Sequence, residues 1–497
     1  MFERVSTFGR AWMIPAVVTS VMFATAQTSL GQCEIDELLA ADGLAFDAFG
    51  TAVAISGDVL VVGAPRHDQN GSNAGAAYVY RFDVNGSGTW AQEAKLLPAD
   101  VQAGDHFGLS VAVDGNVILV GAYGDDDNGG TAGAAFVFRY DPDASEWLEE
   151  TKLLASDGAS ADYFGYSVAI DGNVAVAGAY GDDDNGYRSG SAYVFRFNDD
   201  SGGWLQEAKL IASDGTAYDE FGRVVAVTAD RILIGAPRDH DDGVAGSAYI
   251  FRCDDDCRLW VEEAKLVPAD ISPFDTFGRA VALHSDLAIV GAPGHDDYGF
   301  LSGAAFVFRR VGEGPIWEQE AELLASDGGG YQSFGRSVGI DGEVAIVGAR
   351  NNLDPKNDAG AAYFFNVDPF ANEWIEHAKI LPSDGADGDR FGFAVGISGD
   401  NAVVGAFGHD DPEADSGAAY VYAALLSRDD KGNGIPDACE PPLGDLNSDG
   451  VVGAADLLIL LAFWGPCPPP PLECLGDLNA DEVVGVADLL ILLANWS

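Results

Sequence analysis

Phe107-Gly108-Leu109-Ser110-Val111-Ala112-Val113-Asp114-Gly115-Asn116-Val117-Ile118-Leu119-Val120-Gly121-Ala122 contains two strand signatures separated by a turn. Gly108 to Val113 alternates small or polar residues with apolar ones, the period of a strand with one buried face. Asp114-Gly115-Asn116 turns the chain, and Val117 to Ala122 returns as a β-branched run. Asp-Gly between two such runs is a strong hairpin signal. Outward from this hairpin, Ala134 to Tyr140 reads as an aromatic-rich third strand and Trp147 to Leu154 as a fourth, more charged one. With no helical period in between, the unit is expected to be a four-stranded antiparallel meander.

The same unit recurs along most of the chain. Phe-Gly stands at Phe49, Phe107, Phe164, Phe221, Phe277, Phe334 and Phe391, spaced 56 to 58 residues apart. A Gly-Ala pair begins 13 residues after each Phe-Gly glycine, at Gly63, Gly121, Gly178, Gly235, Gly291, Gly348 and Gly405. Seven tandem four-stranded units predict a β-propeller. The seventh copy ends after its third strand, at Tyr420-Val421-Tyr422. The missing fourth strand stands at the other end of the region, where Glu37 to Gly43 matches Lys152 to Gly158. An N-terminal strand is therefore expected to complete the last blade and close the ring.

Phe49-Gly50 followed by Val62-Gly63-Ala64-Pro65 resembles the FG-GAP repeats of integrin α-subunit propellers and of many bacterial secreted proteins. The likeness covers residues 33 to about 427. Integrin-type repeats often carry a Ca²⁺ loop between the first two strands. Here that connection is a bare turn, so the family's calcium positions do not transfer.

Asp and Glu number 79 against 26 Lys and Arg, giving a formal charge of −53 over 497 residues. Aromatics at 10% and apolar residues at 47% separate the chain from disordered acidic sequences. With no continuous Lys/Arg stripe, a general nucleic-acid binder is excluded, and an anionic membrane surface is disfavoured. Arg4 and Arg10, the mostly apolar run Ala11 to Phe23 and the small residues Ala24-Thr25-Ala26 read as a secretory signal over 1–26. A secreted or cell-surface protein with no membrane span after cleavage is expected. Six cysteines suit that compartment. Cys253 with Cys257 and Cys467 with Cys474 are candidate local disulfides, leaving Cys33 and Cys439, although 15 pairings are possible.

Carboxylates concentrate between the second and third strands, in Asp125-Asp126-Asp127, Asp182-Asp183-Asp184 and Asp239-His240-Asp241-Asp242. The link from each fourth strand to the next blade falls on the same face and adds Asp157, Asp162, Asp214 and Asp219. This face is expected either to hold cations or a polar ligand, or to carry turn-forming, solubilising aspartates. The sixth copy, Asn351-Asn352-Leu353-Asp354, breaks the pattern. His67, His295 and His409 occupy matching positions a blade or more apart and are expected as exposed loop residues. The acids repeat with the blades and form no lone cleft, and no nucleophile elbow or zinc-hydrolase motif occurs, so no catalytic residue is assigned.

Composition changes beyond Leu426. Residues 428–442 form a linker in which Asp429 to Asp437 resembles a thrombospondin type 3 calcium segment, with Lys431 where an oxygen ligand usually stands. Asp445, Asn447, Asp449 and Asp456 then place oxygen side chains at positions 1, 3, 5 and 12 of a loop, with the Val451 carbonyl at position 7. Asp477, Asn479, Asp481, Val483 and Asp488 repeat the spacing 32 residues later. This is the EF-hand arrangement for Ca²⁺, which takes six to eight oxygens. Glu482 replaces the turn glycine in the second loop and is expected to weaken it. Each loop leads into an apolar helix, Ala455 to Trp464 or Ala487 to Trp496.

A duplicated loop-plus-helix resembles a type I dockerin over 443–497, which implies a small α-helical domain and a cohesin-like or other surface-protein partner. Ala454-Ala455 and Val486-Ala487 stand where dockerins present their recognition residues. The expected whole is an all-β seven-bladed propeller over 27–427 joined to this domain. Its expected function is non-catalytic binding or adhesion, with a protein or glycan ligand on the propeller. A part in an extracellular polysaccharide-degrading assembly, or a structural role in a surface layer or matrix, are the alternatives.

Overall fold

Each repeat folds as the meander its pattern predicts. The computed structural model describes residues 34–83, 88–240, 246–254, 259–312, 314–352, 358–368, 371–411, 413–423, 454–462, 465–466 and 483–494. Seven four-stranded antiparallel sheets are arranged as blades. In blade 2 the strands are Ser110–Asp114, Val117–Ala122, Ala134–Asp141 and Glu146–Leu153. The second strand is buried along its whole length, as its uninterrupted apolar sequence requires. The first strand alternates, and first strands of neighbouring blades touch around a central axis.

Closure occurs as expected. Glu34–Leu38 pairs antiparallel with the third strand of blade 7, Glu34 opposite Tyr422 and Leu38 opposite Ala419. That blade's other strands are Ala394–Ser398 and Asn401–Ala406. The closing strand covers the third strand of blade 7, which would otherwise be a free edge.

The apolar core is distributed between blades. Val59, Val61 and Val79 of blade 1 pack with Phe107, Ile118, Phe136 and Trp147 of blade 2. The motif glycines lie at these seams. A Cβ on Gly63 would meet the Gly108 carbonyl oxygen at 1.9 Å, and one on Gly405 would meet that of Gly50 at 2.0 Å. The Gly-Ala glycine of one blade therefore admits the Phe-Gly glycine of the next, including at the seam between blades 7 and 1. Phe107 lies fully buried, edge-on to Phe136 at 5.4 Å, and its amide donates to the Ala74 carbonyl of the preceding blade. Among the described residues no helix is long and apolar enough to cross a membrane.

Candidate functional site

Alternating turns place the loop between strands two and three on the same face as the link to the next blade. Two concentric charged rings lie there. In the outer ring, Lys209 of the fourth strand of blade 3 has its Nζ 2.8 Å from Asp157, 2.8 Å from Asp182 and 2.6 Å from Asp184. The Tyr193 hydroxyl donates to Asp182 at 3.0 Å. Lys152 meets Asp100, Asp125 and Asp127 in blade 2, and Lys265 meets Asp214 and Asp239 in blade 4. Burial disfavours these ammonium groups, yet hydrogen bonds to the carboxylates hold Lys152 and Lys209 well above the usual lysine range. Burial also works against the Asp157 carboxylate, but the bonds from Lys209 and Tyr193 hold it below its usual range.

Each of these fourth-strand lysines is the cation around which a blade's aspartates gather. The leading aspartate of each acidic loop (Asp125, Asp182, Asp239) is buried and not merely a solvated turn residue. Asn352 keeps this geometry in blade 6 without the charge, its amide donating to the Tyr363 hydroxyl at 2.8 Å. His67, His295 and His409 are 4%, 2% and 5% exposed, which corrects the expectation of exposed loop histidines. They do not meet one another; each lies among the carboxylates of its own blade's network.

The inner ring has the opposite charge. The residue after Phe-Gly stands at the entry to the first strand and lines the axial cavity, and in blades 4, 5 and 6 it is Arg223, Arg279 and Arg336. These line the mouth of a cavity of about 310 Å³ together with Thr51, Tyr166 and Phe393. Arg223 pairs with Glu220 at 2.8 Å. Among the described residues no carboxylate pairs with Arg279 or Arg336, and Arg336 packs on the Phe393 ring at 4.9 Å. The buried Arg350 Nε also has no hydrogen-bond partner. Burial and the positive charge of Arg223 push the Arg279 guanidinium down, and burial and the charge of Arg279 do the same to Arg336. Arginine stays protonated in proteins, so this repulsion persists at neutral pH.

Aromatic side chains of blade 3 continue the mouth beside Arg223. Tyr163 stacks on Tyr180 at 5.1 Å, Tyr166 meets Tyr180 edge-on at 4.7 Å, and Arg223 lies 4.7 Å from the Tyr180 ring centre. Farther out, Phe46, Tyr218, Phe274 and Tyr331 are exposed on backbone with φ between 70° and 83°. The equivalent positions Gly104, Ala161 and Gly388 also have positive φ, so this conformation belongs to the turn of the repeat. The far end of the channel is lined by Asp114, Asp171, Asp230 and Asp341. There the carboxylates serve the fold: Asp114 accepts the Gly172 amide at 2.7 Å and Asp341 the Gly399 amide at 2.6 Å.

In the C-terminal region two short helices, Ala454–Ala462 and Val486–Ala494, bury Leu460 and Leu492 together with Val484. Gly465–Pro466 pairs with Val483–Val484. Asp488 is buried and accepts the Gly485 amide at 2.8 Å, as a third helical residue does when it caps its own helix. Val486 is exposed. Asp445, Asn447, Asp449, Val451, Asp477, Asn479 and Asp481 lie outside the described residues, as do the signal segment 1–26, Cys33, Cys257, Cys439, Cys467 and Cys474. Cys253 is disulfide-bonded.

A closed ring of seven four-stranded blades is a β-propeller, a ligand-binding, adhesion-type fold. Seven segments match the FG-GAP repeat, residues 34–80, 90–138, 147–195, 204–251, 260–308, 317–365 and 374–422. They cover more than half of the chain, which belongs to the FG-GAP repeat family. Each match starts at or close to an outermost strand and ends in the third strand of the following blade, so the family's repeat unit straddles the blade seam. No curated protein matches the chain.

Proposed function

We propose that this is a secreted, non-catalytic binding or adhesion protein whose propeller holds an acidic group of a glycan at the arginine-lined mouth. The observation that carries the reading is the pair Arg279 and Arg336, directed at one cavity without carboxylate partners among the described residues, in a chain of charge −53. Guanidinium groups match carboxylates in bidentate geometry, and the neighbouring tyrosine rings offer flat faces to a sugar. The acidic outer ring opposes long polyanions, so the mouth suits the acidic end of a chain more than its length. The C-terminal helices support attachment through a dockerin-like, Ca²⁺-dependent tail. Its ligands would be Asp445, Asn447, Asp449, Val451 and Asp456, with Asp477, Asn479, Asp481, Val483 and Asp488 in the second loop.

Immobilised uronic-acid oligosaccharides, neutral oligosaccharides and acidic peptides separate the possibilities. Retention of the full chain by the first alone is expected. Retention by the peptides instead would move the ligand to a protein, and turnover of any glycan would make the protein an enzyme.

A further inference from the structure

Five blades share one arrangement in the outer ring, and two depart from it together. At the fourth-strand position Lys95, Lys152, Lys209, Lys265 and Lys379 serve blades 1, 2, 3, 4 and 6. Blade 5 has Glu322 there, and blade 7 has Glu37, supplied by the closing strand. In the same two blades the leading residue of the acidic loop is His295 or His409. The cation of the network has gone, and a carboxylate and an imidazole face each other in its place.

The donor atoms converge. Asp270, His295 and Glu322 each offer an atom within 4.8 Å of the others, and so do Glu37, Asp384 and His409. His295 Nε2 lies 3.2 Å from Glu322 Oε1 and 3.5 Å from Asp297. His409 Nε2 lies 3.5 Å from Glu37 and 3.6 Å from Asp384. A tetrahedral ion with bonds of about 2.0–2.1 Å separates its ligand atoms by about 3.3–3.4 Å. Four of these atoms, His295 Nε2, Glu322 Oε1, His409 Nε2 and Glu37 Oε1, are buried and have no partner beyond these loosely aligned charge contacts with one another and with Asp297 and Asp384. Such atoms are costly to leave unpaired.

The far side of each ring carries the support a metal-binding imidazole needs. His295 Nδ1 is 2.9 Å from buried Asp275, and His409 Nδ1 is 3.4 Å from buried Asp389. A carboxylate on Nδ1 fixes the proton there and turns the Nε2 lone pair towards the cluster. Blade 1 supplies an internal contrast: it also has a histidine, His67, but keeps Lys95, whose Nζ lies 3.0 Å from His67 Nε2.

We propose that Asp270, His295 and Glu322 in blade 5, and Asp384, His409 and Glu37 in blade 7, form two equivalent sites for a divalent ion of the zinc class. One nitrogen donor with carboxylates favours such a borderline ion over Ca²⁺, which takes oxygen ligands. The blade 7 site joins the N-terminal strand to loops from the far end of the propeller sequence, so its ion ties the closing seam.

The test uses the chelator-stripped full chain in excess Ca²⁺, titrated with Zn²⁺ and assayed for retained metal after gel filtration. Two equivalents attributable to these sites are expected. Glu322→Lys should lose one equivalent and Glu37→Lys the other. Both variants should fold, because lysine occupies that position in five other blades. Zn²⁺ should raise the unfolding temperature of wild type more than that of Glu37→Lys. Equal zinc content in wild type and the double variant would overturn the proposal. So would a wild type that binds no zinc while His295 and His409 titrate as protonated partners of their carboxylates.

Discussion

The two rings on the loop face differ in whether their charges find partners inside the protein. In the outer ring the carboxylates surround lysines, as Asp157, Asp182 and Asp184 surround Lys209. In the inner ring Arg279 and Arg336 repel each other across a cavity with no carboxylate to pair with among the described residues. An ion network satisfied from within contributes to the fold, whereas charge held unpaired at a concave site is poised for a ligand. Net charge conceals this difference, because the arginines at the mouth have the minority sign.

Substitutions that move each ring towards the other's condition should separate the two. The largest effect on stability is expected from Lys209→Met, which leaves buried Asp182 without its cation. A loss of about 3 kcal/mol in urea unfolding is expected, in the range for breaking a buried pair from one side. The double variant Arg279→Ala/Arg336→Ala should behave in the opposite way. Relief of like-charge repulsion offsets lost packing, so its unfolding free energy should stay within about 1 kcal/mol of wild type. A loss as large as that of Lys209→Met would mean that the arginines belong to the fold.

Proton uptake offers a finer contrast within the outer ring. Burial, together with the nearby charge of Asp182, raises the Asp162 carboxyl from 3.8 to about 6. The folded state therefore binds its proton more tightly than the unfolded chain. The resulting stabilisation is complete below about pH 4 and is lost as pH rises through 6. Asp162→Asn keeps an acceptor for the Ala159 amide but removes the titration. Between pH 5 and 7 the wild type should lose stability relative to this variant, by at most about 1.4 kcal/mol per pH unit. A parallel pH dependence of the two proteins would contradict the assignment. The smallest effect is expected at Arg238, which is 55% exposed and shares Glu220 with Arg223. Arg238→Ala should change stability by less than about 0.5 kcal/mol, measured by the same unfolding.

Much of this was legible in the chain. Asp114-Gly115 marked a turn by local backbone chemistry, Phe-Gly and Gly-Ala marked seams by their spacing, and the Glu37 to Gly43 match identified the closing strand. Each of these signals lies within one repeat or recurs at its period. The charge partnerships were not legible in the same way. Lys209 meets Asp157 from 52 residues away, across the connection between blades. Histidines that looked like loop residues are buried because the loops fold back over the blade seams. For the arginine mouth a signal did exist: the residue after Phe-Gly is arginine in three successive repeats. Only the ring geometry shows that this position faces the axis, where residues 56 or 57 apart in sequence share one cavity.

The most direct test is the affinity of an oligosaccharide ending in a uronic acid, measured calorimetrically on the full chain and on Arg279→Ala/Arg336→Ala at physiological salt. Wild type should bind, and the double variant should bind at least about tenfold more weakly, one lost charge-assisted contact being worth that much. Equal affinity for the two proteins would place the ligand elsewhere and contradict the division between the lysine-centred networks of the outer ring and an inner ring open to an anion.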